Sequence, residues 1–324
     1  MNHTMGIDRL NKIVNGLVTR YAIILITFFM IIVCSFLKPT FLTVDNFLNV
    51  SRQVSIYALL AFAESILIIS GNIDLAAGST LCLSGILAIP VYQSTGNLAL
   101  AVLTSIACGV FCNVLSGILV AYGSLPSFVA TLAMQMAARG AVLVFTDGKT
   151  ITQVGSGFRL LGQGYVGRIP IPVIIMFFCT LILYVLLDKT RTGRNFYALG
   201  GNSEAARASG INTKSQTVLA FLFAGIFIGL AGFVFTSRMN SGIPTAASGY
   251  EGQGIASAVI GGIGFSGGTG SAGGALIGAF VMGILSNILN LMGINSYVQQ
   301  IINGSIIMLA VGLDIQARKR KLSA

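Results

Sequence analysis

Residues 75–138 contain not one Asp, Glu, Lys or Arg. No water-facing domain of that size stays soluble without charge, so the solvent around this surface is lipid. The rest of the chain agrees. Of its 324 residues 55% are hydrophobic and only 9% charged, and the mean hydropathy is +0.88. Glycine is abundant (40 residues), as in helices that pack backbone-close within a bilayer. The expected fold is all-α, a polytopic transmembrane helix bundle making a single domain over 1–324.

Apolar runs of about 20 residues, the length that crosses the hydrocarbon core, fall at 22–37, 54–70, 76–92, 98–121, 127–145, 169–187, 217–236, 252–263, 272–291 and 297–313. That makes about ten spans. The run 252–263 is short and glycine-rich, the mark of a broken or re-entrant helix. The N-terminal basic-then-apolar pattern imitates a signal peptide, but Cys34-Ser35-Phe36-Leu37-Lys38 offers no small-x-small cleavage site. It reads as a retained first span.

Lys and Arg in the flanks orient the bundle, because basic residues accumulate on the cytoplasmic side. Arg9, Lys12 and Arg20 precede the first span, Lys189, Arg191, Arg194, Arg207 and Lys214 lie in the central loop, and Arg318–Lys321 are all basic. Placing these twelve inside leaves six outside: Lys38, Arg52, Lys149, Arg159, Arg168 and Arg238. The division is then a cytoplasmic tail 1–21, six spans within 22–187, a cytoplasmic loop 188–215, about four spans within 216–313 and a basic cytoplasmic tail 314–324. Both termini are cytoplasmic, in an inner, multi-pass membrane protein. The net charge of +10 is mostly this bias, and no basic stripe with interleaved aromatics marks a nucleic-acid partner.

Several apparent motifs dissolve on inspection. Gly262-Ile263-Gly264-Phe265-Ser266-Gly267 spells GxGxxG, but its flanks are membrane segments rather than a βαβ unit. Gly148-Lys149-Thr150 resembles the end of a phosphate-binding loop, yet Leu143 stands where that loop needs glycine. The chain is therefore expected to bind no ATP, to need no cofactor and to be no enzyme. All five cysteines lie in apolar runs and the sole histidine is His3, so neither a metal site nor His-based hydrolysis is expected.

The central loop carries the most informative local pattern. In Asn202-Ser203-Glu204-Ala205-Ala206-Arg207-Ala208-Ser209-Gly210-Ile211, Asn202 or Ser203 can cap a helix start, where Glu204 suits the positive dipole end. Alanines propagate it, and Gly210 can take the left-handed conformation that ends it. A short helix of about two turns results.

Glu204-Ala205-Ala206 with Gly210 resembles the EAAxxxG coupling helix of ABC-importer permeases. Ser70-Gly71-Asn72-Ile73-Asp74-Leu75-Ala76-Ala77-Gly78 is similar to the SGGIDLSxG segment of the ribose-type permeases of the second carbohydrate-uptake class. Thr190-Arg191-Thr192-Gly193-Arg194, Tyr197-Ala198-Leu199-Gly200-Gly201-Asn202, Gly249-Tyr250-Glu251, the glycine-dense 261–278 and Leu289-Asn290-Leu291-Met292-Gly293 match that family in order and spacing. Asn72, Ala76 and Ile263-Gly264 depart from it, as does Glu64 where the family is ordinarily apolar. The resemblance implies a permease subunit of an ATP-driven importer of a monosaccharide, a ribose-like pentose or a hexose. It also implies a separate cytoplasmic ATPase with tandem domains, docked at Glu204, Ala205, Ala206 and Gly210. A periplasmic sugar-binding protein and a second copy of the chain, or a paralogous permease, complete the implied assembly. Autoinducer-2 or a branched-chain amino acid is the alternative cargo. An ion-coupled secondary transporter is the competing class: it accounts for buried acids but not for the EAAxxxG loop.

Polar groups inside the spans are the candidate pathway. Gly71 and Gly78 bracket Asp74 between two apolar runs, the pattern of an interrupted helix, tolerated only where freed backbone groups are buried in protein or line a wet cavity. Asp74 either caps the following helix or meets solute, with Asn72 beside it. Glu64 and Arg139 are charges at similar depth and are expected to pair. Asn287 with Asn290, Gln299 with Asn303, and Gln135 one turn before Arg139 recur at helical spacing. They either hydrogen-bond helices together or line a path for a hydroxyl-rich solute.

Overall fold

The computed structural model describes residue 25 and residues 27–152 and 154–322. The expected tail 1–21, with His3, Arg9, Lys12 and Arg20, and most of the start of the first span lie outside these residues. Among the described residues the chain is almost wholly helical, and every expected span overlaps one helix. The expected spans fall on α1 (Thr27–Leu37), α2 (Val44–Ile69), α3 (Ala77–Thr95), α4 (Leu98–Ala121), α5 (Ser127–Thr146), α7 (Ile171–Tyr184), α10 (Thr213–Met239), α11 (Tyr250–Ile260), α12 (Ala272–Leu291) and α13 (Ser296–Leu322). Between them lie the short α6 (Leu160–Gln163), an antiparallel hairpin β1 (Tyr165–Val166) and β2 (Ile169–Pro170), α8 (Arg191–Gly201) and α9 (Ser203–Ala208). Among the described residues six helices are long and apolar enough to cross a membrane: α2, α4, α5, α7 with its last turn, α10 and α12.

Contacts between loops define the two ends of the bundle. At one end the Gly268 N–H donates to Ile69 O (2.9 Å) at the end of α2, and α8 packs on the same carbonyl. The Phe265 N–H donates to Asp314 Oδ2 (2.9 Å), which brings α13 to that end too. At the opposite, hairpin end Ile151 and Gly242 exchange backbone bonds of 2.9 and 2.8 Å. There Phe158 also packs between Tyr92 and Phe233.

α2 is the axis of the fold. Residues 54–69 are buried without exception, as a helix apolar all round must be. Around it, α4 and α10 approach through glycine: a Cβ on Gly109 would press into the Gly225 carbonyl and the Gly229 backbone. Gly225 and Gly229 stand four apart on α10, the small-residue spacing that lets helix backbones meet in lipid. Ser105 Oγ closes the contact by donating to Gly229 O (2.7 Å). Outward-facing Phe111, Phe128, Leu132, Phe177, Phe178 and Leu181 are exposed, the face lipid requires.

Four local features go beyond or differ from the expected pattern. α2 starts at Val44, ten residues before the expected 54, because the Thr43 Oγ1 accepts from the Asn46 N–H and Asp45 suits the first turn. Arg52, expected in a loop, therefore sits on α2, its guanidinium 4.8 Å from the Tyr165 ring centre. The central loop holds two helices rather than one, since Gly193, Phe196 and Leu199 give α8 a buried face. The basic tail 314–324 is helical through Leu322 as the end of α13.

Two crossings are interrupted. α11 has 11 residues, about 16 Å at 1.5 Å per residue, half a bilayer. The non-helical segment 240–249 covers the remainder. It carries positive φ at Asn240 (49°), Ala247 (57°) and Gly249 (82°), and for Ala247 that costs about 1–2 kcal/mol. The other interruption is 70–76. There the Asp74 N–H reaches Glu64 Oε2 (3.4 Å), five residues back from the end of α2, so the segment folds into the bundle before α3 begins.

Candidate solute pathway

The acid of the first interruption is sealed in, although Gly71 is exposed at the α8–α9 end. The Gly71 and Asn72 N–H groups donate to Ile68 O and Leu67 O. Asn72 Nδ2 turns back to Ser70 O (3.2 Å) and Ser70 Oγ (3.3 Å). Asp74 Oδ1 accepts from the Ala76 N–H at 2.7 Å, the side-chain turn that starts the next helix. From α5, Thr131 Oγ1 donates to Ile73 O (3.4 Å) and Ser127 Oγ accepts from the Ile73 N–H (3.3 Å). Glu64 is 0% and Asp74 1% exposed. Asp74 is thus a cap inside the protein.

Glu64 and Arg139 do not pair. Among the described residues the one ion pair is Lys149–Asp147, at the surface. Arg139 Nη1 donates instead to Pro244 O (2.7 Å) and Ala246 O (2.9 Å). Those carbonyls are free because segment 240–249 has left helical geometry, and a guanidinium is the donor best suited to collect them. Equal depth on straight helices could not reveal a competing acceptor created by a break.

The second interruption is open. Ser248 and Gly249 are exposed. A cavity of about 650 Å³ extends from them between α2, α11, α12 and α13, lined by Gln53, Tyr57, Glu251, Gln253, Ser286, Asn290, Gln299 and Asn303 among others. A smaller one, about 380 Å³, lies on the α5 side and is lined by Ser79, Gln135, Met136, Arg139 and Ser248. Glu251 joins them: its Oε1 accepts from Gln135 Nε2 (3.3 Å). Gln135 lies about 12 Å along the 20-residue α5, so this carboxylate is at mid-depth. Leu75, from the first interruption, reaches the larger cavity. A Cβ on Gly78 would strike Glu251 Oε2 and the Ala247 carbonyl. The two breaks, entering from opposite ends, meet at Glu251.

The expected polar residues therefore divide. Asn290, Gln299 and Asn303 line the larger cavity, where Gln299 Nε2 donates to Asn290 Oδ1 (2.9 Å). Asn287 does not. It exchanges two bonds with Asn46, 2.8 and 3.0 Å, and fastens α12 to α2. Asn72 lines a polar recess with Gly200, Gly201, Asn202 and Ser203 at the α8–α9 end. Glu251, Gln253, Gln53, Tyr57 and Ser286 were missed. Gln53 Nε2 donates to Ser286 Oγ (2.9 Å) and Tyr57 Oη (3.1 Å). Its helical spacing from Tyr57 was a signal available in the sequence.

At the α8–α9 end, Asn202 Oδ1 accepts from the Ala205 N–H (2.9 Å) and starts α9, and Gly210 at φ 84° ends it. Glu204, Ala205 and Arg207 face solvent, while Ala206 is buried. α8 is bound to the bundle core: a Cβ on Gly200 would run into the Ile69 carbonyl. Tyr197 Oη donates to Gly270 O (3.0 Å). Burial, and then the nearby Asp188 charge, push this phenol up to about 12.

Interrupted crossings that converge on a polar, partly open cavity within an otherwise lipid-facing bundle define a multi-pass membrane permease. Residues 46–311 match the model of the branched-chain amino acid transport system / permease component family, and the chain belongs to that family. It is 42% identical over 289 residues to the ribose import permease protein RbsC of Bacillus subtilis (strain 168), covering 89% of this chain and 90% of that one. It is 38% identical to ribose import permease protein RbsC of Escherichia coli (strain K12), covering 88% and 90%. To the D-allose transport system permease protein AlsC of the same strain it is 35% identical, covering 85% and 84%. No solved structure matches the chain.

Proposed function

We propose that the chain is the membrane-spanning subunit of an ATP-driven, binding-protein-dependent importer that carries a neutral monosaccharide across the bacterial inner membrane. The observation that carries this reading is the lining of the larger cavity. It offers amides and hydroxyls from four helices and the Glu251 carboxylate, with no Lys or Arg. Such a wall matches the donors and acceptors of a polyol, whereas the carboxylate of an amino acid would enter without a cationic partner. The named cargoes of the relatives, ribose and allose, are solutes of this kind.

In this reading α9 is the docking element for a separate cytoplasmic ATPase, through Glu204, Ala205, Ala206 and Gly210. Force enters the bundle where α8 meets the end of α2. A tandem-domain ATPase and a periplasmic binding protein complete the system, the α8–α9 end and both termini face the cytoplasm, and the hairpin end meets the binding protein. A second copy covers the smaller cavity, because Gln135 and Arg139 are half-exposed at membrane depth, where lipid is a costly neighbour for charge.

The test is uptake by proteoliposomes holding the permease, its ATPase and its binding protein. Radiolabelled pentose or hexose accumulates and leucine does not. Accumulation of leucine without any sugar would refute the cargo.

A further inference from the structure

Glu251 is the acid of the bundle interior that is not sealed in. Glu64 and Asp74 are fully buried, but Glu251 is part-exposed on the wall between the two cavities. The protein leaves room for it: at Gly78 any side chain would occupy the place of the carboxylate. Arg139 lies near it, but Arg139 Nη1 is held by the Pro244 and Ala246 carbonyls. Gln135 supplies one bond of 3.3 Å, and the Gly249 and Glu251 backbone N–H groups also meet the carboxylate.

The neighbouring amide oxygens are closed off: Gln253 Oε1 and Asn303 Oδ1 are buried away from the cavity, which leaves Glu251 as the part-exposed charged acceptor on its wall.

We infer that Glu251 is the cargo-selecting residue of the pathway: its carboxylate accepts hydroxyl donors from a passing polyol. A carboxylate has about four acceptor positions, not all of them taken by Gln135 and the Gly249 and Glu251 N–H groups, and hydrogen bonds to an ionised acceptor are about twice as strong as neutral ones. The same charge repels phosphorylated sugars. The selected class is therefore the neutral polyol with free neighbouring hydroxyls. The inference rests on the monosaccharide reading above.

The experiment compares maximal uptake rates in the complete reconstituted system for D-ribose, D-allose, their monodeoxy analogues and their phosphates, in the native chain, Glu251→Gln and Glu251→Asp. Membrane levels are matched by immunoblot. For the native chain, removing the hydroxyl that meets Glu251 slows transport about tenfold or more. In Glu251→Gln that handicap shrinks toward onefold for the same analogue, and Glu251→Asp, which keeps the charge, retains it. A merely structural role would slow all sugars alike and leave every ratio unchanged, and that result overturns the inference. Sugar transport with unaltered ratios refutes the role of Glu251 alone. Failure of the native chain to carry any sugar refutes the cargo reading and this inference with it.

Discussion

The two interruptions of the bundle are alike in sequence and opposite in environment. Segment 70–76 and segment 240–249 both release backbone groups inside the membrane, and each has an acid close by. At the first, side chains of α2, α5 and the segment itself take up those groups, and Asp74 is 1% exposed. At the second, Arg139 collects two carbonyls, but Ser248 and Gly249 stay exposed and a cavity of about 650 Å³ opens beside them. The difference teaches that a broken helix is not by itself a binding site. Where the protein satisfies the break, the acid is a cap; where the break is left open, the acid faces solute.

The largest effect is expected where the breaks meet. Gly78→Val places atoms in the Glu251 carboxylate and against the Ala247 carbonyl. Overpacking of this kind costs about 1–3 kcal/mol, and uptake should fall about tenfold or more. Near-native uptake at normal membrane levels would show that the breaks are less tightly joined than the geometry requires.

Next comes the cap of the sealed break. Asp74→Ala deprives the Ala76 N–H of its acceptor in a fully buried position, at a cost of about 1–3 kcal/mol. Thermal melting of the purified protein should shift accordingly. No shift would mean that Asp74 is dispensable to the fold, and the contrast between the breaks would lose half its basis.

Much of this architecture was legible in the sequence. The bounds 98–121 and 272–291 match α4 and α12 to the residue, because long apolar runs there follow capping residues, Asn97 and Ser271. The convergence of the breaks was not legible. Hydropathy began the eighth span at 252, one residue after Glu251, since an acid ordinarily marks the water boundary. A backbone that re-enters the membrane without helical periodicity leaves no hydropathy signal. The carbonyls that claim Arg139 arise from the same fold-back, which is why Glu64 looked like its partner.

A smaller effect is expected at the α8–α9 end. Gly210 has φ 84°, and Gly210→Val there costs about 1–2 kcal/mol locally. The chain should still reach the membrane, while ATP-driven uptake falls several-fold. Unchanged uptake together with unchanged ATPase association would count against α9 as the docking element.

The smallest effects separate a cap from a proton carrier. Asp74→Asn still offers an oxygen to the Ala76 N–H, and Glu64→Gln keeps its shape. Each should change stability by less than about 1 kcal/mol and keep most uptake. Collapsing the proton gradient at constant ATP should leave uptake in place. Loss of transport in both variants, with accumulation following the gradient, would favour an ion-coupled carrier.

The most direct measurement compares the two breaks within one protein. In a cysteine-free background, Ser248→Cys samples the open break and Ala76→Cys the sealed one. Each is treated with a charged, membrane-impermeant thiol reagent in the presence and absence of sugar. Reaction at Ser248→Cys that sugar suppresses, with no reaction at Ala76→Cys, is the predicted result. Reaction at Ala76→Cys while Ser248→Cys stays silent would contradict the assignment of the pathway.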